Sequence, residues 1–309
     1  MYLGIDTSNY TTSAAYCSGD RYDNASRLLD VREGELGLRQ SDALFQHVKR
    51  LPEILSALLD GTDRPEIRAV AASTKPREVE GSYMPCFLAG ETVAESIATA
   101  LDVPFYAFSH QQGHIAAVLY SAGRMELLQK PFLAWHLSGG TTELLLVQPD
   151  DKLFHAQRIG GTTDISAGQV VDRTGKLLGV PFPSGKALDA LASEYEAIDC
   201  FPVKMNGLSF SFSGLENKIA DYHAAGHSDS ETASYCLRSV AQTVVRVTEQ
   251  AMKRYPDHPV VFSGGVSANN ILRACCAPFE PVFCEPRFAT DNALGIAVLC
   301  HMQGAADGT

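Results

Sequence analysis

The stretch that decides the fold class is Phe132-Leu-Ala-Trp-His-Leu-Ser-Gly-Gly-Thr-Thr-Glu-Leu-Leu-Leu-Val147. Two apolar segments, 132–137 and 142–147, flank a small polar turn, and this pattern predicts a strand, a turn and a second strand. The chain opens in the same way, because residues 2–8 and 12–17 flank another short polar turn. Two halves that begin with the same hairpin predict a duplicated α/β fold.

The boundary between the halves is predicted near residues 124–131, which gives lobes at 1–127 and 128–309. A last helix is predicted at about 291–303, and it can pack back onto the first lobe. Residues 41–60 have helical periodicity. The apolar stripe of that helix is predicted to contain Leu44, Val48, Leu51, Ile54, Leu55 and Leu58.

Composition favours a water-soluble protein of the cytoplasm. The chain has 309 residues, with 45% hydrophobic and 20% charged residues. No apolar run is long enough to span a bilayer, and no secretory signal is recognisable, so neither a membrane location nor secretion is expected. None of the eight cysteines lies in a C-x-x-C pair, and reduced thiols are expected. The net charge of −11 argues against unaided binding of nucleic acid over a broad surface, although a small basic patch or a basic partner remains compatible with it.

Two histidines suggest a metal site. His110 and His114 are four residues apart in a predicted helix capped by Ser109, so their side chains project from one face. Asp291 is the candidate carboxylate ligand. Both observations have an ordinary alternative, because most H-x-x-x-H pairs bind no metal and Asp291 could simply cap the last helix.

Small residues at strand ends suggest a nucleotide site. In the second half these are Ser138, Gly139, Gly140 and Thr141, where paired glycines would let a ligand approach the backbone. Asp6 lies in the corresponding turn of the first half and could belong to a phosphate-binding loop or to a simple turn. Further candidates are Gly264, Gly265, Asn269 and Asp172. The alternative for residues 138–141 is an ordinary hairpin turn. For Gly264 and Gly265 it is close packing of a strand on a helix, and for Asp172 it is exposure to solvent.

With these residues in place, the chain resembles the TsaD-type catalytic subunit of tRNA threonylcarbamoyladenosine synthase, a family formerly described as glycoproteases. The resemblance runs almost from end to end and keeps the order of the motifs. The segments that carry it are Gly4–Ser8, His110–His114, Leu137–Thr142, Val171–Gly179, Phe182–Gly185, Ser209–Leu215, Gly264–Asn269 and Thr290–Asn292.

The resemblance implies a fold and a reaction. The fold would be the duplicated actin-like ATPase (ribonuclease H-like) fold, with two lobes and a cleft between them. The activity would be transfer of a threonylcarbamoyl group from threonylcarbamoyl-adenylate to a tRNA adenosine, with companion proteins of the modification system as partners. His110, His114 and Asp291 would hold iron or zinc. Residues 137–141, with Asp172, Gly185 and Asn269, would bind the adenylate, and ATP or ADP with magnesium is a further expected ligand.

The chain also departs from the family pattern. Tyr10 and Thr11 stand where acidic residues are usual, and Thr141 stands where histidine is usual. Residues 165 and 169 each lack a carboxylate, and Glu216 replaces a lysine. These changes favour a second hypothesis, a catalytically reduced nucleotide-binding paralogue that acts as a partner subunit. A protease is not expected, because no H-E-x-x-H or Ser/His/Asp arrangement can be identified.

Overall fold

A computed structural model describes residues 1–8, 10–19, 21–31, 38–60, 66–151, 153–195, 199–285, 288 and 293–308. Contacts along the chain divide it into two compact units. Unit 1 comprises Met1–Glu126, Pro149–His155 and Thr290–Thr309, and unit 2 comprises Leu127–Gln148 and Ala156–Ala289. No helix within the described residues has the length and apolarity needed to cross a membrane.

Unit 1 is built on a mixed sheet with the order β3-β2-β1-β4-β5. The central strand β1 is antiparallel to β2 and parallel to β4, so the hairpin strands lie on one side of β1 and the crossover strands on the other. Every residue of β1 is buried, as expected for a strand covered on both faces. The strands are β1 Tyr2–Asp6, β2 Thr11–Ser18, β3 Arg21–Leu28, β4 Ala69–Lys75 and β5 Phe105–Ser109.

Four helices of unit 1 cover this sheet. The last of them packs against β1, β2 and the helix that carries the two histidines. Its close approach to β1 needs glycine, because a Cβ atom on Gly4 would lie 2.4 Å from the backbone nitrogen of Ala297. The helices are α1 Gln40–Leu59, α2 Phe87–Leu101, α3 His110–Ser121 and α9 Leu294–Asp307.

Unit 2 repeats the strand order of unit 1. Its sheet has the order β12-β11-β6-β7-β8-β10-β9, in which β8-β7-β6-β11-β12 corresponds to β3-β2-β1-β4-β5. As in unit 1, the central strand β6 is antiparallel to the next strand, β7, and parallel to the crossover strand β11. The duplication predicted from the two hairpins is therefore confirmed. The strands are β6 Phe132–Leu137, β7 Thr142–Asp150, β8 Leu153–Thr162, β9 Met205–Asn206, β10 Ser209–Phe210, β11 Val260–Ser263 and β12 Val282–Phe283.

The core of unit 2 lies between its sheet and a long helix. Trp135 of β6 is fully buried, and its indole N–H donates to the Thr248 hydroxyl at 2.9 Å, so the one polar atom of the ring is satisfied. The helices are α4 Ala167–Leu177, α5 Gly185–Ala192, α6 Ser213–Ala224, α7 Asp229–Arg254 and α8 Asn270–Cys276. Short 3₁₀ helices occupy Met125–Gln129, Gly265–Ala268 and Ala277–Phe279.

Three details differ from the sequence prediction. Val48 is 56% exposed, although Leu51, Ile54 and Leu58 of the predicted stripe are buried, and His47 and Arg50 of the same helix are buried as well. The sequence pattern also predicts a helix from Asp164 to Leu178, whereas α4 begins at Ala167, because Ser166 caps it. The described part of the last helix begins at Leu294 and continues to Asp307, beyond the predicted end.

Candidate metal and nucleotide sites

The start of α3 fixes the two histidines in space. The Ser109 hydroxyl accepts from the Gln112 backbone N–H at 3.2 Å, and the Gln112 side-chain oxygen accepts from the Ser109 N–H at 2.9 Å. This reciprocal capping box begins the helix at His110, as predicted from Ser109. His114 follows one turn later on the same face.

Three buried or half-buried side chains form a chain of contacts in unit 1. Asp6 is only 1% exposed, and its Oδ2 atom lies 2.7 Å from Nδ1 of His110. Nε2 of His110 lies 2.8 Å from Nε2 of His114. A carboxylate only accepts, so a neutral His110 carries its proton on Nδ1 and directs the Nε2 lone pair towards His114.

This arrangement has the chemistry of a metal-binding histidine pair. A histidine that ligates a metal commonly donates its other ring N–H to a carboxylate, which fixes the tautomer and makes the ligating nitrogen more basic. Asp6 occupies that position behind His110. The backbone N–H of Ser8 holds the other Asp6 oxygen at 2.7 Å, so the carboxylate is itself fixed. The sequence suggested a phosphate-binding loop or a simple turn for Asp6 and did not connect it with His110.

The third predicted ligand, Asp291, lies outside the described residues. Within the residues that are described, no group of three or more His, Cys, Asp or Glu side chains is arranged to hold a metal ion. The structure therefore describes two of the three predicted ligands, His110 and His114.

Glycines bring α3 and α9 into direct backbone contact. Gly113 lies between the two histidines, and a Cβ atom on it would lie 2.8 Å from the Ile296 side chain. A Cβ atom on Gly295 would lie only 1.8 Å from the backbone oxygen of Gly113. The glycine inside the His-Gln-Gln-Gly-His motif thus has a packing role, which the sequence pattern did not reveal.

A third histidine of unit 1 is buried without a full set of partners. Nδ1 of His47 lies 2.9 Å from the Thr12 hydroxyl, and its Nε2 has no hydrogen-bond partner among the described residues. Burial lowers the pKa of His47, the negative charge of Asp6 opposes that shift and the positive charge of Arg50 adds to it, and the resulting pKa is about 4. His47 is therefore neutral at physiological pH.

Mild acid is expected to destabilise the protein through His47. The unfolded chain has a histidine of ordinary pKa and takes up a proton first, so stability falls as the pH drops through 6.5 towards 4. This contribution amounts to about 2 kcal/mol at pH 5 relative to pH 7. Urea unfolding at both values should show that His47→Gln loses this part of the pH dependence, whereas His258→Gln keeps it. An equal pH dependence in all three proteins would contradict the expectation.

The glycine turn of unit 2 leaves room for a ligand. Residues 138–141 close a tight turn, in which Ser138 N–H donates to the Thr141 carbonyl at 2.8 Å and the Ser138 hydroxyl accepts from Thr141 N–H at 3.1 Å. Cβ atoms on Gly139 or Gly140 would meet nothing within 4 Å. Among the described residues, no acceptor takes the N–H groups of these two glycines. Packing therefore does not require glycine at either position, and the prediction that a ligand approaches the backbone there stays a prediction.

The N-terminus of α4 supports this turn. The Ser166 hydroxyl donates to the Gly139 carbonyl at 2.6 Å, and a Cβ atom on Gly168 would lie 2.5 Å from the Gly139 Cα atom. Gln169 completes a capping box, because its side-chain oxygen accepts from the Ser166 N–H at 3.0 Å. An amide does this as well as a carboxylate, so the departure from the family at position 169 preserves the cap.

Asp172 holds the loop between α4 and α5. Its Oδ1 accepts from the Ser184 backbone N–H at 2.9 Å, which places Gly185 at the start of α5. Burial raises the pKa of the Asp172 carboxyl, and the Ser184 hydrogen bond opposes that rise. The sequence suggested that Asp172 faces either a ligand hydroxyl or solvent. Its contact with the loop is a further role that the sequence did not suggest.

The second glycine turn contains two glycines, and close packing requires glycine at only one of these two positions. Gly264 has a φ of +86°, and a Cβ atom on it would lie 2.3 Å from the Leu137 carbonyl, so packing alone explains it. A Cβ atom on Gly265 would meet no described residue within 4 Å. Asn269 caps α8 and donates from Nδ2 to Asp189 at 2.6 Å. Asp189 was not foreseen, because its partners lie 80 residues further along the chain.

Asp164 organises the segment after β10. It accepts hydrogen bonds from the Ser211 hydroxyl and from the backbone N–H groups of Phe212 and Ser213, at 2.8 and 3.2 Å for the two backbone groups. Burial alone would raise the pKa of Asp164, but these hydrogen bonds hold it well below its ordinary value. The Ser-Phe-Ser segment is thus fixed by a carboxylate that keeps its charge.

Comparison with known proteins decides the family. Residues 35–298 match the family profile described as "TsaD: tRNA N6-adenosine threonylcarbamoyltransferase". The chain belongs to the TsaD family. A TsaD relative from Lacticaseibacillus casei, named tRNA N6-adenosine threonylcarbamoyltransferase, is 31% identical over 84% of this chain and 78% of its own length. One from Rhizobium leguminosarum bv. trifolii, with the same name, is 31% identical over 96% of this chain and 86% of its own.

Solved structures identify the fold. Full-length HypF in a phosphate- and nucleotide-bound form aligns with 99% of this TsaD-family chain at a TM-score of 0.65 and 14% identity, and the chain spans 46% of HypF. The activator of 2-hydroxyisocaproyl-CoA dehydratase from Clostridium difficile, with bound ADPNP, aligns with 100% of the chain and 97% of its own length at a TM-score of 0.54 and 14% identity. At this identity the likeness concerns the fold alone. The actin-like ATPase fold expected from the resemblance is confirmed.

Proposed function

We propose that this TsaD-family protein transfers a threonylcarbamoyl group from threonylcarbamoyl-adenylate to the exocyclic amine of an adenosine in tRNA, just 3′ of the anticodon. Membership of the family supports a transferase that acts on tRNA. The observation that carries the proposal beyond membership is the convergence of His110 and His114, with Asp6 behind His110. A protein that only binds partners has no need of such a pair.

His110, His114 and Asp291 would hold one divalent metal, iron or zinc. The two imidazoles and a carboxylate are a donor set that both metals accept. When bound, the ion would act as a Lewis acid on the carbamoyl group. Asp6 keeps the Nε2 lone pair of His110 directed towards His114, and burial of Asp6 keeps water from competing for this contact.

The donor would bind to unit 2. Ser138, Gly139, Gly140 and Thr141 offer an open turn with N–H groups that can meet the charge of a phosphate as adenylate leaves. The residues proposed to bind the rest of the adenylate, or ATP or ADP with magnesium, are Asp172, Gly185, Gly264, Gly265 and Asn269. Among these, Asp172 and Asn269 also have structural contacts, so their replacement would disturb the loops as well as the ligand.

The alternative is a catalytically reduced paralogue that binds nucleotide and serves as a partner subunit. The replaced residues at positions 10, 11, 141, 165 and 216 favour it. In either case the net charge of −11 favours help from companion proteins of the modification system in holding tRNA. The cytoplasm is the proposed compartment of this assembly.

Reconstitution tests the proposal. Unmodified tRNA, ATP, threonine, bicarbonate and the companion proteins are combined with this chain, and a standard catalytic subunit is run in parallel. Mass spectrometry of the nucleosides is expected to show threonylcarbamoyladenosine. Gly140→Val should abolish the product by filling the turn, whereas Gly214→Val, at another glycine with open space around it, should not. Absence of product with a working standard enzyme would favour the paralogue.

A further inference from the structure

Four exposed side chains, two basic and two apolar, lie within a short segment of this acidic protein, between residues 176 and 186. We name the set Lys176, Leu177, Phe182 and Lys186 the 176–186 patch. Phe182 is 60% exposed and Leu177 is 42% exposed, and both lysines are exposed as well. Exposed aromatic and cationic side chains together are the composition of a single-stranded nucleic-acid contact.

The loop that carries Phe182 is anchored on both sides. Before Phe182, the Val180 N–H donates to the Gly175 carbonyl at 2.9 Å. After it, the Ser184 N–H donates to Asp172 at 2.9 Å, and the Ser184 hydroxyl donates to the Pro181 carbonyl at 3.2 Å. Because Phe182 stands between two prolines of restricted φ, the ring is presented by a loop with little freedom. A preorganised exposed ring loses little entropy on binding.

The two lysines of the patch have no ion-pair partner in the part of the chain that the structure describes. Arg173, the nearest further cation in sequence, pairs with Glu216 at 2.6 Å. Lys176 and Lys186 make no ion pair within the described residues. Lys176 stands in the last turn of α4, where the helix dipole alone would favour a cation. Lys186 stands in the first turn of α5, where the helix dipole disfavours a positive charge. A bound anion would offset this unfavourable interaction of the lysine with the dipole.

We propose that the 176–186 patch contacts the anticodon loop of tRNA, with Phe182 stacked on an unpaired base and Lys176 and Lys186 against phosphates. The choice of tRNA as the occupant rests on the proposed function. Gly185, a proposed donor-binding residue, is three residues from Phe182, which would bring the acceptor loop next to the donor. The chemistry selects RNA rather than an acidic protein surface because an exposed ring with flanking cations matches a base between phosphates.

Binding measurements test the patch. The chain, assembled with its companion proteins, is titrated with a labelled anticodon stem–loop over a series of salt concentrations. Phe182→Ala is expected to weaken binding about tenfold, and Phe182→Trp to retain it. Phe45→Ala, at a phenylalanine with 64% exposure on unit 1, is the matched control and should bind like the wild type. Each of Lys176→Ala and Lys186→Ala should reduce the salt slope by about 0.7. Lys253→Ala, in the last turn of α7, should not.

Each outcome separates the patch from the proposed reaction. If the wild type forms product but Phe182→Ala binds the stem–loop normally, the proposed contact between the patch and tRNA is wrong, and the proposed transfer activity is unaffected. If Phe182→Ala weakens RNA binding although no product forms, the patch stands and the transfer fails. No binding of the stem–loop by the wild-type assembly would overturn the patch. So would loss of a companion protein from the Phe182→Ala assembly in a pull-down, because the surface would then be a protein contact.

Discussion

Replacing His114 with alanine is expected to remove the bound metal and to lower the rate of threonylcarbamoyl transfer about a thousandfold, since a Lewis acid contributes several kcal/mol to such a step. The physical reason is that His110 alone would offer one nitrogen where the proposed site needs two. The Nε2 atoms of the two histidines lie 2.8 Å apart. Alanine is a good helix former, and α3 should persist.

The measurement is metal content by mass spectrometry after loading with iron or zinc, together with product formation. His258→Ala is the matched control, because His258 lies in unit 2, where its described contacts are the Pro256 carbonyl and the Tyr255 ring. Thermal unfolding of both variants should show that the fold is kept. A full equivalent of metal in His114→Ala would contradict the proposed ligand set, and full activity without metal would contradict its role.

Replacing Gly295 with alanine is expected to destabilise the protein by about 3 kcal/mol or more, the upper range for overpacking. The new Cβ atom would lie 1.8 Å from the Gly113 carbonyl oxygen, and a helix backbone cannot yield as a flexible side chain does. Helix α9 must therefore move away from α3. The displacement should also weaken metal binding, because Gly113 lies between His110 and His114.

Denaturant unfolding of the whole chain is the measurement for this substitution. Gly214→Ala is its control, because Gly214 stands in helix α6 and a Cβ atom on it would meet nothing within 4 Å. That substitution should be neutral or slightly stabilising, since alanine favours the helix. A Gly295→Ala protein with unchanged stability would show that the helices can separate freely, contrary to the close packing described above.

The sequence was sufficient for the features that depend on nearby residues. The two hairpins predicted the duplicated sheets, and Ser109 predicted the start of α3, because strands and caps follow from local pattern. Strand β3 was missed, since most of its side chains are at least partly exposed and it lacks a clear apolar alternation. Val48 was placed wrongly because a helical stripe read from apolar residues cannot foresee that His47 and Arg50 are buried by partners elsewhere.

The candidate site shows the same division. The spacing of His110 and His114 was visible in the sequence, and so were the glycines at 139 and 140. The contact of Asp6 with His110 joins residues 104 positions apart, and that of Asn269 with Asp189 joins residues 80 positions apart. Such contacts depend on the strand order and on helix packing, neither of which a local pattern specifies.

The position of α9 has a consequence for biosynthesis. Unit 1 needs Leu294–Asp307 against β1 and α3, whereas unit 2 is complete once residue 289 has been made. During translation the half that begins first must therefore finish last, and residues 1–126 wait with the glycine faces of β1 and α3 uncovered. Domains commonly fold as they emerge from the ribosome, but here that order is reversed. Chaperone capture of unit 1 is accordingly expected to last until α9 is in place.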